Sequence, residues 1–128
     1  MRQGGNRHDD KRALHAVPSS ESQIQSDIRI ALGLVGDLRM FRNNVGVAKQ
    51  DNTRVRYGLC TGSSDLIGIL APAGRFVALE VKTDTGKLTP EQTRFLAMVR
   101  ALGGFACVVR SVPDAIEAIA RARAGASE

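Results

Sequence analysis

The chain has 128 residues, 43% of them hydrophobic and 24% charged, which suits one globular domain and excludes two domains or a fully disordered chain. Eighteen Lys and Arg against thirteen Asp and Glu give a net charge of +5, which favours either a polyanionic partner such as nucleic acid or simply a solubilising surface. Neither an apolar run of about eighteen residues nor a signal peptide occurs, so we expect a cytoplasmic protein without a membrane partner.

The N-terminal part divides into a polar leader and a helix. Residues 1–18 are rich in Gly, Asn, Asp and Arg, and we expect them to be disordered and residues 19–128 to form a single domain. Ser20 and Gln23 match a capping box. Apolar residues then follow at helical spacing, namely Ile24, Ile28, Ala31, Leu32 and Val35. This pattern predicts a first helix over about residues 21–33.

Short β-prone segments and turn signals fill the middle of the chain. Residues 39–47 and 54–57 predict strands at a sheet edge, separated by a turn at 49–52. The later predicted elements are a strand over 66–70, a turn at 71–74, a strand over 76–82, a helix from Pro90 to Gly103, a strand over 105–110 and a helix over about 113–124. The order is therefore one helix, three or four strands, then helix, strand and helix.

One segment concentrates the positive charge. Between Arg39 and Tyr57 five bases accompany one acid, so this segment alone carries +4. Asn43 and Gly46 belong to a polar cluster there that suits contacts to phosphate and sugar. The residues expected to contact DNA are Arg42, Asn44, Arg54, Arg56 and Lys87. For each single arginine, a solvated surface position is the alternative.

The segment FVALEVK, residues 76–82, carries the strongest chemical signal. Strand alternation places Glu80 and Lys82 on one face and Val77, Leu79 and Val81 on the other. An ion pair on an exposed strand would explain an isolated ExK equally well. Asp65, however, opens the preceding strand, and a turn at 71–74 would bring it level with Glu80 in a hairpin.

Two adjacent carboxylates repel each other unless a divalent cation lies between them, and hard oxygen ligands select Mg²⁺ or Mn²⁺. The two histidines lie in the leader and the two cysteines are far apart, which argues against zinc and against His-based catalysis. A metal beside the ammonium of Lys82 is the chemistry that phosphodiester hydrolysis needs.

The chain resembles the virus-type replication-repair nucleases (VRR-NUC) of the PD-(D/E)XK superfamily over about residues 20–112. The resemblance lies in SESQIQSDI, FRNNVG, GSSDLIGI, LEVKTDTGKLTPEQ with FLAMVRALGG, and VVRS, in the family's order. GSSD departs from the superfamily's Pro-Asp. The resemblance implies a restriction-endonuclease-like α/β fold, with a central mixed sheet flanked by helices in the order α-β-β-β-α-β-α.

The resemblance also implies roles for single residues. Asp65, Glu80 and the Val81 carbonyl would be metal ligands, Lys82 the motif lysine, Glu21 a helical glutamate supporting a metal or its water, and Gln92 a neighbour of the lysine and the scissile phosphate. Glu21 shares a helix face with Ile24 and Ile28, but a first-turn acid favoured by the helix dipole is the alternative. For Gln92 the alternative is a capping box with Thr89.

We therefore expect a Mg²⁺-dependent, structure-selective DNA endonuclease. Compact members of the family that stand alone look like symmetric junction resolvases. The resemblance therefore favours a homodimer that acts on branched DNA, with a four-way junction as the best substrate. Two alternatives stay open: a non-catalytic nucleic-acid-binding module of the same fold, and a nuclease acting on RNA.

Overall fold

The computed structural model describes residues 19–128, so the predicted leader over residues 1–18 lies outside the described part. Three helices and six strands follow one another: α1 (Glu21–Leu32), β1 (Leu38–Arg42), β2 (Gly46–Gln50), β3 (Thr53–Tyr57), β4 (Leu66–Leu70), β5 (Arg75–Val81), α2 (Pro90–Ala101), β6 (Phe105–Val109) and α3 (Val112–Arg123). The predicted α/β class is confirmed. None of the helices within these residues is both long and apolar enough to cross a membrane.

The central sheet has the strand order β1-β4-β5-β6. The pairs β1–β4 and β4–β5 are antiparallel and β5–β6 is parallel, so the sheet is mixed, as predicted. β5 therefore has a hydrogen-bonded neighbour on each side. The chain reaches β6 through α2, the crossover that a parallel pair requires.

The number and placement of strands differ from the prediction. Five strands precede α2 rather than three or four, because the predicted strand over residues 39–47 breaks at Asn43 into β1 and β2. β1 lies at an edge of the central sheet, as predicted, whereas among the described strands β2 and β3 pair only with each other and form a separate hairpin. At the break, the Asn43 backbone N–H donates to the Asp65 carbonyl at 2.7 Å, which ends the β1–β4 ladder.

Helices cover both faces of the sheet, following the predicted alternation along β5. Val77, Leu79 and Val81 pack into one apolar cluster with residues of α1 and α3, including Ile28 and Ile119. Ala78, on the opposite face, packs with residues of α2, namely Phe95, Leu96 and Val99. Glu80 and Lys82 follow Ala78 on this face, where both side chains are buried and Glu80 contacts Gln92 of α2.

The helix starts follow the predicted caps, with one correction. The Ser20 hydroxyl accepts from the Gln23 backbone N–H at 3.1 Å, which confirms the N-cap of α1. The reciprocal half of that predicted capping box is wrong, because within residues 19–128 the Gln23 side chain accepts no hydrogen bond from the Ser20 backbone N–H. The Gln23 Nε2 donates to the Asp27 carboxylate one turn later, at 3.0 Å.

The close approach of β1 to β4 depends on the absence of a side chain at Gly68. A Cβ built there would collide with the Met40 sulfur and would lie 2.5 Å from the Arg39 carbonyl oxygen. Gly68→Ala should therefore push β1 away and lower the free energy of unfolding by about 1–3 kcal/mol. Urea denaturation measures this loss. Gly36→Ala is the control, because a Cβ there meets nothing within 4 Å; equal effects of the two substitutions would contradict the prediction.

Candidate active site

Strand register brings Asp65 and Glu80 together. Leu66 pairs with Leu79 and Leu70 with Arg75, so the next step of the antiparallel pair sets Asp65 opposite Glu80, in the register that the sequence predicted. The Asp65 Oδ2 accepts the backbone N–H of Val81 at 2.9 Å. The aspartate side chain thus takes the place of a backbone acceptor at the end of the ladder, which holds its carboxylate against β5.

Glu80 is the buried centre of the site. Its side chain is 1% exposed. Its Oε2 accepts from the Gln92 amide at 3.2 Å and lies 3.9 Å from the Lys82 Nζ, while its Oε1 is buried without a partner among the described residues. The pKa of Glu80 is raised to about 9, first by burial and then by the negative charge of Asp65 and a hydrogen bond with it. The positive charge of Lys82 lowers this pKa, but only in part.

Lys82 lies at the end of β5 and is 7% exposed. Its backbone N–H donates to the Val109 carbonyl at 3.1 Å, so the parallel neighbour β6 fixes the backbone of the lysine. An exposed ion pair on a strand was the alternative explanation of the ExK pattern. Burial of both side chains excludes it, because a surface pair would not desolvate its charges.

Gln92 forms the predicted capping box and also contacts Glu80, whereas its place beside the lysine and the scissile phosphate stays a prediction. In the first turn of α2 its backbone N–H donates to the Thr89 hydroxyl at 3.1 Å, and its Oε1 accepts the Thr89 backbone N–H at 2.9 Å, which completes the capping box. Its Nε2 remains free to donate to Glu80. An amide has separate donor and acceptor ends, so the cap orients the group that contacts the carboxylate.

Glu21 stands apart from the other two acids. Its side chain is exposed in the first turn of α1, and its negative charge contributes slightly to the raised pKa of Glu80. Within residues 19–128, no three Asp, Glu, His or Cys side chains are arranged so that they could hold one metal ion. The role of Glu21 in supporting a metal or its water therefore stays a prediction.

The remaining donor set fits a magnesium ion. Mg²⁺ is usually bound by one or two carboxylates and completes its shell with water and substrate phosphate. Asp65 and Glu80 provide two carboxylates within hydrogen-bonding reach of each other, and the buried Glu80 Oε1 has no other partner in the described part of the chain. A cation there would satisfy this oxygen and relieve the repulsion between the two carboxylates.

Asn43 positions the loop before Asp65, a role that the sequence did not reveal. We expected it among residues that contact phosphate, but its side chain is occupied. Its amide donates to the Ser63 hydroxyl at 2.7 Å and to the Ser64 carbonyl at 2.9 Å, and its Oδ1 accepts from the Leu59 backbone at 3.4 Å. Asn directly after a strand signals only a local turn, whereas these partners lie 16 to 21 residues away.

Arg110 holds the other loop of the site. Its Nη1 donates to the carbonyls of Thr83 at 2.5 Å and Gly86 at 2.9 Å, with a longer contact to Asp84 at 3.4 Å. This loop joins Lys82 to Thr89 and carries the exposed Lys87. No sequence pattern indicates the arrangement, because the acceptors are backbone carbonyls that any residue supplies.

A cleft of about 560 Å³ opens beside the carboxylates. Asp65 and Gln92, both in contact with Glu80, form part of its wall. Three of the five residues expected to contact DNA also line it, namely Arg42, Asn44 and Arg56. Arg54 lies further out on β3 and Lys87 in the loop after β5, so the structure does not place these two in the cleft.

Comparisons with known proteins agree with this architecture. The model of the VRR-NUC domain family matches residues 19–113, which is most of the chain. A solved structure of a VRR-NUC domain has 21% sequence identity and a TM-score of 0.56, and the alignment covers 80% of this chain and 97% of that chain. A search of curated proteins finds no match.

The raised pKa of Glu80 predicts how stability depends on pH in metal-free protein. Between the ordinary value of 4.5 and about 9, the folded state binds a proton that the unfolded state has released. The contribution of this group is therefore fully present below about pH 4.5 and is lost as the pH rises to about 9. Urea denaturation in EDTA at pH 5, 7 and 9 should show this decline, and Glu80→Gln should flatten it.

Glu117→Gln, at an exposed position of α3, is the matched control and should keep the decline of the unmodified protein. If the unmodified protein and Glu80→Gln had the same slope of stability against pH, the proposed origin in Glu80 would be wrong.

Proposed function

The chain belongs to the VRR-NUC family of nuclease-like domains, as its motifs predicted, and we propose that it is a Mg²⁺-dependent endonuclease that hydrolyses phosphodiesters of branched DNA. The observation that carries this proposal is the meeting of Asp65 and Glu80 beside the buried Lys82 at the wall of an open cleft. Such a cluster is costly for folding and has a direct use in phosphoryl chemistry.

The substrate would enter along the basic side of the cleft. Arg42 and Arg56 supply positive charge on its lining, and Asn44 supplies a polar side chain beside them. Arg54 and Lys87 extend the positive surface beyond the cleft. Contacts of this kind bind the sugar–phosphate backbone and give affinity without reading the bases.

The residues of the site divide the chemical work. Asp65, Glu80 and, by the family resemblance, the Val81 carbonyl would hold Mg²⁺ or Mn²⁺, with Glu21 supporting the ion or its water. When bound, the metal polarises the phosphoryl group and activates water. Lys82 places a buried ammonium where it can orient the attacking water or offset negative charge that develops on the phosphate. Gln92, fixed by its cap, orients Glu80.

The burial of Glu80 favours catalysis over the binding-module alternative. A module that only binds nucleic acid gains nothing from a buried carboxylate that lies next to a second carboxylate and has one oxygen without a partner among the described residues. The alternative of an RNA substrate uses the same chemistry. Parallel assays on DNA and RNA of one sequence therefore decide between them.

Asp65→Asn and Lys82→Ala should each lower cleavage of labelled DNA in Mg²⁺ by at least about 100-fold, because each removes a group that acts on the reacting phosphate. Binding in Ca²⁺, measured by fluorescence anisotropy, should persist in both variants. EDTA should abolish cutting, and Ca²⁺ should support binding without cutting because its coordination is looser.

Glu117→Gln, which removes an exposed carboxylate of α3, serves as the control and should cut at the unmodified rate. Turnover by Asp65→Asn near the unmodified rate would refute the site assignment. Cleavage of RNA in place of DNA would support the alternative substrate.

We further propose that the working form is a homodimer that cuts four-way junctions. One chain offers one catalytic centre, so paired cuts in two strands need two subunits, most simply related by a two-fold axis. An exposed apolar groove of about 320 Å³ on the α2 side supports this assembly. It is lined by Leu59, Phe76, Phe95, Met98, Val99, Leu102 and Gly104.

Leu102→Glu should convert the dimer to a monomer in sedimentation velocity and reduce paired cutting of a four-way junction, because it places a charge in the apolar groove. Ile116→Glu, at an exposed apolar position of α3, is the control and should leave both readouts unchanged. A monomeric unmodified protein at working concentration, or equal cutting of linear duplex and junction, would refute the dimer and leave the nuclease proposal intact.

A further inference from the structure

The β2–β3 hairpin collects its charges on one face. Its register sets Lys49 opposite Arg54 and Val47 opposite Arg56. Directly opposite residues of an antiparallel pair share a face, and alternate pairs point to opposite faces. One face therefore carries Lys49, Arg54 and Arg56 with Val47, and we call it the cationic face. The other face carries Ala48, Val55 and Tyr57.

The charges of the cationic face lower the stability of the β2–β3 hairpin, which is marginal on its own. A two-stranded sheet alone is marginal in water, and like charges directly opposite each other destabilise it further. Every residue of β3 and most of β2 are exposed. Within residues 19–128, no ion pair joins these three bases to an acid. A bound polyanion would offset this repulsion.

A groove on the cationic face and the cleft at Asp65 share one lining residue. The cleft at Asp65 is lined by Val47 and Arg56, among others. A second groove of about 360 Å³ lies on the hairpin and is lined by Val47, Lys49, Asn52 and Arg54. Val47 belongs to both, so the groove and the cleft are neighbours, and Asn52 places the groove near the turn of the hairpin.

We propose that the hairpin groove is a second phosphate-binding site, which holds the nucleic-acid strand as it leaves the cleft. Arg56 and Arg54 are two residues apart on β3, or about 7 Å along the strand, so they contact phosphates in succession. Lys49 adds a cation level with Arg54. The inference deepens the proposed function, because it assigns the path of the substrate beyond the point of cleavage.

The test is the salt dependence of binding, measured without cleavage. Lys49→Gln/Arg54→Gln should reduce the slope of log affinity against log salt by about two, since each lost phosphate contact removes about 0.9. Anisotropy in EDTA with a labelled four-way junction gives this slope.

The matched control is Arg29→Gln/Arg121→Gln, which removes the same charge from helices α1 and α3 and should leave the slope nearly unchanged. The thermal midpoint of the hairpin variant should equal or exceed that of the unmodified protein, since a like-charge pair has been relieved. Lost affinity then reports binding and not unfolding.

An unchanged salt slope in the hairpin variant would overturn the inference. The inference would also be overturned if polyglutamate displaced the labelled junction as well as unlabelled DNA does. A reduced slope in a protein that cuts no nucleic acid would support the hairpin site and refute the proposed function. A reduced slope together with active cleavage would support both.

Discussion

Glu80 lies on β5, which has a neighbour strand on each side and helices over both faces of its sheet, so bulk water cannot solvate its carboxylate. Three surrounding side chains affect the ionised form of Glu80, and they do so in different directions. Gln92 donates a hydrogen bond, Lys82 brings a positive charge, and Asp65 adds a second acid that works against ionisation. As a purely structural feature this arrangement is unfavourable, because the Glu80 Oε1 has no hydrogen-bond partner in the described part of the chain. The divalent cation that we propose for this site would satisfy this oxygen.

Polar side chains that bind backbone carbonyls fix the two loops around this centre. Asn43 holds the loop that precedes Asp65, and Arg110 holds the loop between Lys82 and the cap of α2. Neither residue needs to touch a substrate. Both limit the freedom of the proposed catalytic groups, which lie at the ends of strands. Small changes of geometry are costly in catalysis, so such supports matter as much as the groups they hold.

The sequence predicted those features that depend on local pattern. Alternation in FVALEVK and the turn after β4 were sufficient to place Asp65 level with Glu80, because a hairpin fixes register through a few consecutive residues. The same reasoning failed for residues 39–47, where a contact from Asn43 to a loop 20 or more residues away divides the strand. It could not choose between two roles for Gln92, since periodicity gives the direction of a side chain but not its partners. The five expected DNA contacts and the role of Glu21 stay predictions.

The β2–β3 hairpin lies outside the sheet and contributes none of the residues of the two apolar clusters. Its length, charge and turn can therefore change over evolution without repacking the interior. The proposed chemistry, by contrast, is tied to β5, whose alternate side chains pack into the two apolar clusters. The hairpin, residues 46–57, is thus a short unit that can vary independently of the rest of the domain. Exchange of the hairpin alone offers a way to redirect such a domain to new partners while its proposed catalytic centre is inherited intact.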